Sequence, residues 1–108
     1  MDASTRFHAL ADPTRRGIFE LLAGSPRSVV EIAAQLPVSR PAVSQHLKVL
    51  QEAGLVHFER TGTRNIYQVD PDGLRAMRSY LDELWTQALG ELKSLAESTY
   101  HRTQQRKT

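Results

Sequence analysis

The fold is decided by one stretch, Ser39-Arg40-Pro41-Ala42-Val43-Ser44-Gln45-His46-Leu47-Lys48-Val49-Leu50, which predicts a helix with an apolar and a polar face. At 100° per residue, three apolar side chains share one side of this helix: Val43, Leu47 and Leu50. The opposite side carries Pro41, Ser44, Gln45 and Lys48. We therefore expect the first face to be anchored in a core and the second to be free for a ligand.

The polar face has the side chains that a DNA groove requires. Glutamine can form two hydrogen bonds with adenine and arginine two with guanine, while serine and lysine also suit phosphates. Ser39 is the natural N-cap of the helix, and its hydroxyl is expected to accept from the amide of Ala42, since Pro41 has no amide hydrogen. Taken alone, such a face is more often simply the solvated surface of a helix.

Three helices are predicted before this one. Residues 3–11 form a short first helix, and Asp12-Pro13 is an N-cap and first-turn pair that opens a second helix to about Leu22. Ser28-Val29-Val30-Glu31 is a capping box that opens a third, which Pro37 ends. Only two residues, Pro37 and Val38, lie between Leu36 and Ser39, and this short connection indicates a helix-turn-helix.

After Leu50 the pattern changes from helical to extended. Gly54 supplies the left-handed C′ position that ends the fourth helix. Two β-prone segments, 55–60 and 65–69, flank the basic turn Thr61-Gly62-Thr63-Arg64, and in this hairpin Val56 and Phe58 are expected opposite Tyr67 and Val69. Asp70-Pro71 opens a long last helix. The predicted fold is mainly α with a small β-hairpin, in the order α-α-α-α-β-β-α.

Composition narrows the function classes. The chain has 108 residues, a net charge of +2 and no cysteine, so disulfides and thiolate metal sites are excluded. No apolar run approaches membrane-spanning length and the first ten residues lack a signal-peptide pattern, so we expect a cytoplasmic protein without a membrane partner. No nucleophile elbow, phosphate-binding loop or metal triad appears, and an enzyme is not expected.

Four separated motifs together resemble the ArsR family of bacterial winged-helix repressors. They are Ala9-Leu10-Ala11-Asp12-Pro13-Thr14-Arg15-Arg16, the stretch Ser39 to Leu50, Ala53-Gly54-Leu55-Val56, and Arg60-Thr61-Gly62-Thr63-Arg64 with Tyr67. The resemblance covers roughly residues 6–98. It implies a winged helix-turn-helix homodimer that binds double-stranded operator DNA, with the fourth helix in the major groove, the hairpin as a wing, and repression of a promoter, often the protein's own. We predict a DNA-binding and dimerisation domain over residues 1–100 and a basic, disordered tail over 101–108.

The candidate DNA-binding residues lie on the fourth helix and the wing. They are Ser39, Arg40, Pro41, Ala42, Ser44, Gln45, His46, Lys48, Arg60, Thr63 and Arg64. Gln45 and Ser44 are the first choices for base contacts, whereas His46 lies beside the anchored face and is better explained as a structural residue. Two alternatives stay open: Arg64 either enters a minor groove or pairs with Glu59, and the Arg15-Arg16 pair either reaches a phosphate or forms an internal ion pair.

The last helix has more apolar surface than a small domain can cover. We call six of its residues the apolar stripe: Leu81, Leu84, Trp85, Ala88, Leu89 and Leu92. A two-fold axis lets such a stripe cover itself, and the resemblance adds Phe7 and Leu10 of the first helix to the interface. Gly90 is explained either by close approach of a partner helix or by tolerated sequence drift.

The metal patterns of the family are missing from this sequence. Thiolate sensors need cysteines, and zinc-type relatives carry an Asp-x-His pair on the last helix, where this chain has Tyr80-Leu81-Asp82-Glu83-Leu84-Trp85. His8, His57 and His101 lack ligand spacing and are predicted to be surface residues. The chain thus resembles the non-metal branch, with no metal, no cofactor and no effector assigned. The alternatives are a winged-helix protein-interaction module that does not bind DNA, and a metal-responsive repressor with an unrecognised site.

Overall fold

The computed structural model describes residues 3–106, with side chains described for residues 3–100. The elements in chain order are α1 (Ala3–Ala11), α2 (Pro13–Gly24), β1 (Arg27–Ser28), α3 (Val29–Gln35), α4 (Arg40–Glu52), β2 (Val56–Thr61), β3 (Arg64–Val69) and α5 (Pro71–Arg106). This is the winged helix-turn-helix that the sequence predicted, with one additional short strand.

The predicted order is wrong at β1. The sheet has three strands in the order β1-β3-β2, and β1 pairs antiparallel with β3 through Arg27 opposite Tyr67 and Ser28 opposite Ile66. A strand of two residues is too short for the alternation that reveals a strand in a sequence. Ser28 also serves as the N-cap of α3, and the capping signal was the only one visible.

The helix starts follow from capping groups. The Asp12 carboxylate accepts from the amide of Arg15 at 2.9 Å, and Pro13 takes the first turn of α2. In the predicted capping box, the Ser28 hydroxyl accepts from the amide of Glu31 at 3.3 Å, and the Glu31 carboxylate accepts from the amide of Ser28 at 3.0 Å. The predicted bond from the amide of Ala42 to the hydroxyl of Ser39 is confirmed at 3.3 Å.

The end of α4 is a Schellman motif centred on Gly54. The amide of Leu55 donates to the carbonyl of Leu50 at 3.0 Å, and the amide of Gly54 donates to that of Gln51 at 2.9 Å. Gly54 has a φ of 72°, which glycine adopts without steric cost. The predicted left-handed C′ position is thereby confirmed.

One hydrophobic core unites α1 to α4, the hairpin and the start of α5. Its buried members are Ala9, Ile18, Phe19, Leu22, Ile32, Val43, Leu47, Leu50, Ala53, Leu55, Val56 and Met77. Val43, Leu47 and Leu50 are at most 1% exposed, so the apolar face of α4 is fully anchored, as predicted.

The hairpin turns through Gly62 and Thr63, between the paired residues Thr61 and Arg64. Gly62 has a φ of 63° and Thr63 a negative φ, which matches a type II′ turn. As predicted, Val56 lies opposite Val69 and Phe58 opposite Tyr67, with the two aromatic ring centroids 5.3 Å apart. The wing is therefore a regular two-stranded ribbon.

The first turn of α5 packs closely on the end of α4. The carboxylate of Asp70 accepts from the amide of Asp72 at 3.0 Å, and the amide of Asp70 donates to the carbonyl of Leu55 at 2.8 Å. Gly73 is buried directly against the backbone of Gly54. The sequence contains no sign of this backbone-to-backbone approach.

Contacts divide the chain into two units, and the boundary lies within α5: the first unit ends at Met77 and the second begins at Arg78. Because α5 continues to Arg106, six of the eight residues assigned to the tail belong to this helix, and residues 107–108 lie outside the described residues. None of the described helices is long and apolar enough to cross a membrane.

Candidate nucleic-acid interface

The polar face of α4 is open to solvent. Its exposed candidates are Ser39, Arg40, Pro41, Ser44, Gln45 and Lys48. Because the opposite face is fixed in the core, these side chains extend from a helix that cannot rotate about its axis. Six hydrogen-bonding or groove-shaping groups thus project from one rigid surface.

His46 and Ala42 are half-buried at the edge of this face. The pKa of the Asp12 carboxyl is lowered, chiefly by the hydrogen bond from the Arg15 amide and to a smaller extent by the Arg15 and His46 side chains. His46 therefore lies near the capped start of α2. This position supports the structural explanation of His46 over a base contact.

The wing presents Arg60, Thr63 and Arg64 as exposed residues at its tip. Among residues 3–100, the arginines that pair with carboxylates are Arg75 and Arg78, with Asp72 and Asp82 as their partners. The alternative in which Arg64 pairs with Glu59 is therefore not realised. The guanidinium of Arg64 remains accessible at the end of the ribbon.

The apolar stripe is exposed along its whole length. Trp85 is 67% exposed and Leu92 is 62% exposed, and Leu81, Leu84 and Leu89 are about half exposed. In contrast, Phe7 and Leu10 are half-buried and pack against the core of their own unit. Gly90 lies nine residues from Leu81, half a helical turn away from the centre of the stripe, and an added Cβ there would meet nothing within 4 Å.

Known proteins are similar to this chain in both sequence and architecture. A helix-turn-helix domain model matches residues 10–57. The HTH-type transcriptional regulator Rv2034 of Mycobacterium tuberculosis is 56% identical over 92 residues, which cover 85% of this chain and 86% of that protein. The ArsR-like transcriptional regulator from Rhodococcus sp. RHA1, whose structure is solved, is 32% identical, with a TM-score of 0.74 over 87% of this chain and 92% of its own. The chain belongs to the ArsR family of winged helix-turn-helix transcriptional regulators.

A second similar structure is itself a dimer. The homodimeric winged helix-turn-helix DNA-binding domain Mb0332 from Mycobacterium bovis, described as a possible ArsR-family regulator, is 30% identical. Its TM-score is 0.63 over 75% of this chain and 76% of that domain. The ArsR-family architecture thus occurs as a homodimer in a protein of similar sequence.

The structure gives Arg15 and Arg16 a role different from both alternatives that the sequence left open, a phosphate contact and an internal ion pair. The guanidinium of Arg15 donates through Nε to the carbonyl of Ala9 at 2.7 Å, and Arg16 donates to the carbonyl of Leu10 at 3.2 Å. Both carbonyls belong to the last turn of α1, where helical partners are missing. The arginine pair therefore caps α1 from the start of α2.

His57 is more than the surface residue that the sequence indicated. Its Nε2 lies 2.8 Å from Nε2 of Gln68, its cross-strand neighbour, and its Nδ1 lies 3.9 Å from the carboxylate of Asp70. An amide NH₂ can only donate, so the Nε2 of His57 accepts this bond. The predicted hairpin register already placed these residues opposite each other, and this was the available signal.

Metal ligands do not cluster in the described part of this ArsR-family chain. Within it, no group of three or more histidine, cysteine, aspartate or glutamate side chains could hold an ion. The pair Asp82 and Glu83 is exposed on α5, and Asp82 lies 4.0 Å from Arg78.

Proposed function

We propose that this ArsR-family chain is a homodimeric repressor that binds an imperfect inverted-repeat operator, with its own promoter as the first candidate site. The observation that carries the proposal is the exposed polar face of α4 opposite a completely buried apolar face. A regulator of bacterial transcription acts where the chromosome is, so the proposed location is the cytoplasm. In this proposal the chain has no enzymatic activity.

In the proposed complex, α4 lies in the major groove. Gln45 and Ser44 contact base edges, and Arg40 and Lys48 contact bases or phosphates. The start of the helix lies close to the sugar-phosphate backbone of the DNA at Ser39, Pro41 and Ala42. His46 supports the helix from its edge. Arg60, Thr63 and Arg64 place the wing along the adjacent backbone or minor groove.

The proposed dimer is held mainly by the apolar stripe. Burying one large apolar side chain stabilises an assembly by about 1.5–3 kcal/mol, and the stripe offers five such side chains per protomer. The homodimeric domain from Mycobacterium bovis supports the assembly. Phe7 and Leu10, although they pack on their own core, retain exposed edges for the partner. A two-fold dimer spaces its recognition helices by about 34–36 Å, which is one turn of DNA.

We also propose that binding is independent of metals, because the chain has no cysteine and the last helix lacks the family's Asp-x-His pair. In this proposal the protein belongs to the non-metal branch of the family. Its DNA affinity is then set by the operator sequence, salt and dimer concentration.

The test is selection of bound duplexes from a random DNA pool, followed by affinity measurements on the selected site at several salt concentrations. We expect an inverted repeat, and an affinity that falls steeply with salt. Lys48→Ala should reduce the slope by about one phosphate contact, whereas Lys93→Ala on α5 should leave it unchanged. Recovery of no sequence together with weak, salt-independent binding would support the protein-interaction module instead.

A further inference from the structure

The short strand β1 brings the wing beside the start of α3. Ser28 lies opposite Ile66 of β3 and also caps α3. Arg64 precedes Ile66 by two residues, so their side chains leave the same face of the sheet as that of Ser28. In agreement, Arg64 lines one open cleft with Ser28, Val29 and Val30. The wing arginine and the first turn of α3 are therefore neighbours.

Glu31 is the acidic residue of that turn, and it cannot move freely. Its carboxylate is held by the amide of Ser28 at 3.0 Å, in the capping box. The pKa of Glu31 is lowered chiefly by hydrogen bonds from the Ser28 amide and hydroxyl, and further by the nearby positive charges of Arg64 and Arg27. The group is therefore a fixed negative charge at neutral pH.

The other basic neighbour already has a partner. Arg27 donates through Nε to the carbonyl of Leu21 at 3.3 Å, at the end of α2. The side chain of Arg64 has no hydrogen bond or ion pair among the described residues, so its guanidinium is free to turn toward the carboxylate of Glu31, which the amide of Ser28 holds beside the cleft. On the same sheet face, Glu59 of β2 lies opposite Ile66 and is the competing acidic neighbour.

We propose that Glu31 is a positioning residue for Arg64, fixing the direction in which the wing arginine meets DNA. This inference rests on the proposed function. Electrostatic attraction across the cleft limits the guanidinium to the side of the wing that faces the helix-turn-helix. The arginine thus meets DNA in a restricted geometry, with less side-chain entropy to lose on binding. The wing and the helix-turn-helix consequently contact the operator as one unit.

The experiment is a double-mutant cycle on the selected operator, with the full chain as wild type, Glu31→Gln, Arg64→Ala and the double variant. Glutamine can maintain the capping box, so the unfolding temperature of Glu31→Gln should stay close to that of wild type. Removing the negative charge of Glu31 also reduces its repulsion of DNA, but it does so equally whether residue 64 is arginine or alanine. The cycle therefore cancels this general effect. We expect Glu31→Gln to weaken operator binding about two- to fivefold more when Arg64 is present than when it is alanine, as for a partly exposed charge pair.

The matched control is the same cycle with Glu59→Gln, which removes an equal charge on the other side of Arg64. This cycle should be additive. Additivity of the Glu31 cycle, or coupling to Glu59 in its place, would overturn the proposal while leaving the DNA-binding function intact. Absence of any duplex binding by wild type would overturn both.

A second variant tests the positioning without altering Glu31. Arg64→Lys retains the charge but lacks the planar guanidinium fork. Because the proposed attraction depends on charge, Glu31 should hold a lysine at this position as it holds the arginine, and we expect Arg64→Lys to bind the operator more like wild type than like Arg64→Ala. Operator binding by Arg64→Lys that is as weak as that of Arg64→Ala would refute positioning by charge, even if Glu31→Gln failed to fold.

Discussion

Gly73→Ala should destabilise this protein strongly, although the same change usually stabilises a helix. A Cβ added at Gly73 would overlap the carbonyl oxygen of Gly54, and would lie 2.9 Å from its carbonyl carbon and 3.4 Å from the Cα of Leu55. All three obstructing atoms belong to the backbone. No side chain can rotate away to make room, so the first turn of α5 must separate from the end of α4.

The magnitude follows from two opposing effects. Alanine gains up to about 1 kcal/mol over glycine from helix propensity, whereas overpacking a well-packed core costs about 1–3 kcal/mol and more when backbone must shift. Because every obstructing atom is backbone, we take the cost as about 3–4 kcal/mol, and the net loss is then about 2–3 kcal/mol. For a domain of this size, that loss lowers the unfolding temperature by roughly 8–20 °C.

The assay is thermal and urea unfolding, followed by circular dichroism at one fixed protein concentration, since a dimer's stability depends on concentration. Gly90→Ala is the matched control in the same helix, because nothing lies within 4 Å of its added Cβ. This control should be neutral or slightly more stable than wild type. If Gly73→Ala is as stable as Gly90→Ala, the close packing of α5 on Gly54 is refuted.

Four further outcomes are expected. Gln45→Ala should weaken binding to the selected operator by about 1–3 kcal/mol and binding to random DNA little, while Gln51→Ala, on another face of α4, should change neither. Equal losses of binding on both DNAs would exclude a base contact by Gln45. Trp85→Glu should give a monomer or an unfolded chain without operator binding, because it buries a charge in the stripe, and Gln87→Glu on the opposite face should sediment as wild type. Stoichiometric zinc, cadmium or arsenite should leave operator affinity unchanged in gel-shift titrations, and a tenfold release by any of them would overturn metal independence. The folded pKa of Asp12 lies below its ordinary value of 3.8, so the Asp12 carboxylate stabilises the fold above that pH, and this stabilisation is lost as the pH falls through the lowered pKa. The Asp12→Asn protein should therefore lose less stability between pH 5 and 2 than wild type does.

The sequence predicted those features that depend on a few consecutive residues. The cap at Ser39, the capping box at Ser28 and the left-handed glycine at Gly54 are each encoded within four residues, and each is confirmed. The faces of α4 follow from helical periodicity alone. The exposed candidate site on this helix was accordingly accessible from sequence, since one buried stripe determines which side chains are left outside.

Only the tertiary structure decided the contacts between distant segments. β1 exists because β3 reaches Arg27 and Ser28 from nearly forty residues away, and Gly73 is required because α5 crosses the backbone at Gly54. Arg15 and Arg16 contact nearer residues, the carbonyls of Ala9 and Leu10, but these bonds too form only because α2 turns back onto the end of α1. Local propensity and periodicity describe how one segment folds with one face toward water and the other toward some core. The pairings above depend instead on how whole elements pack against each other. No short stretch of sequence contains that information.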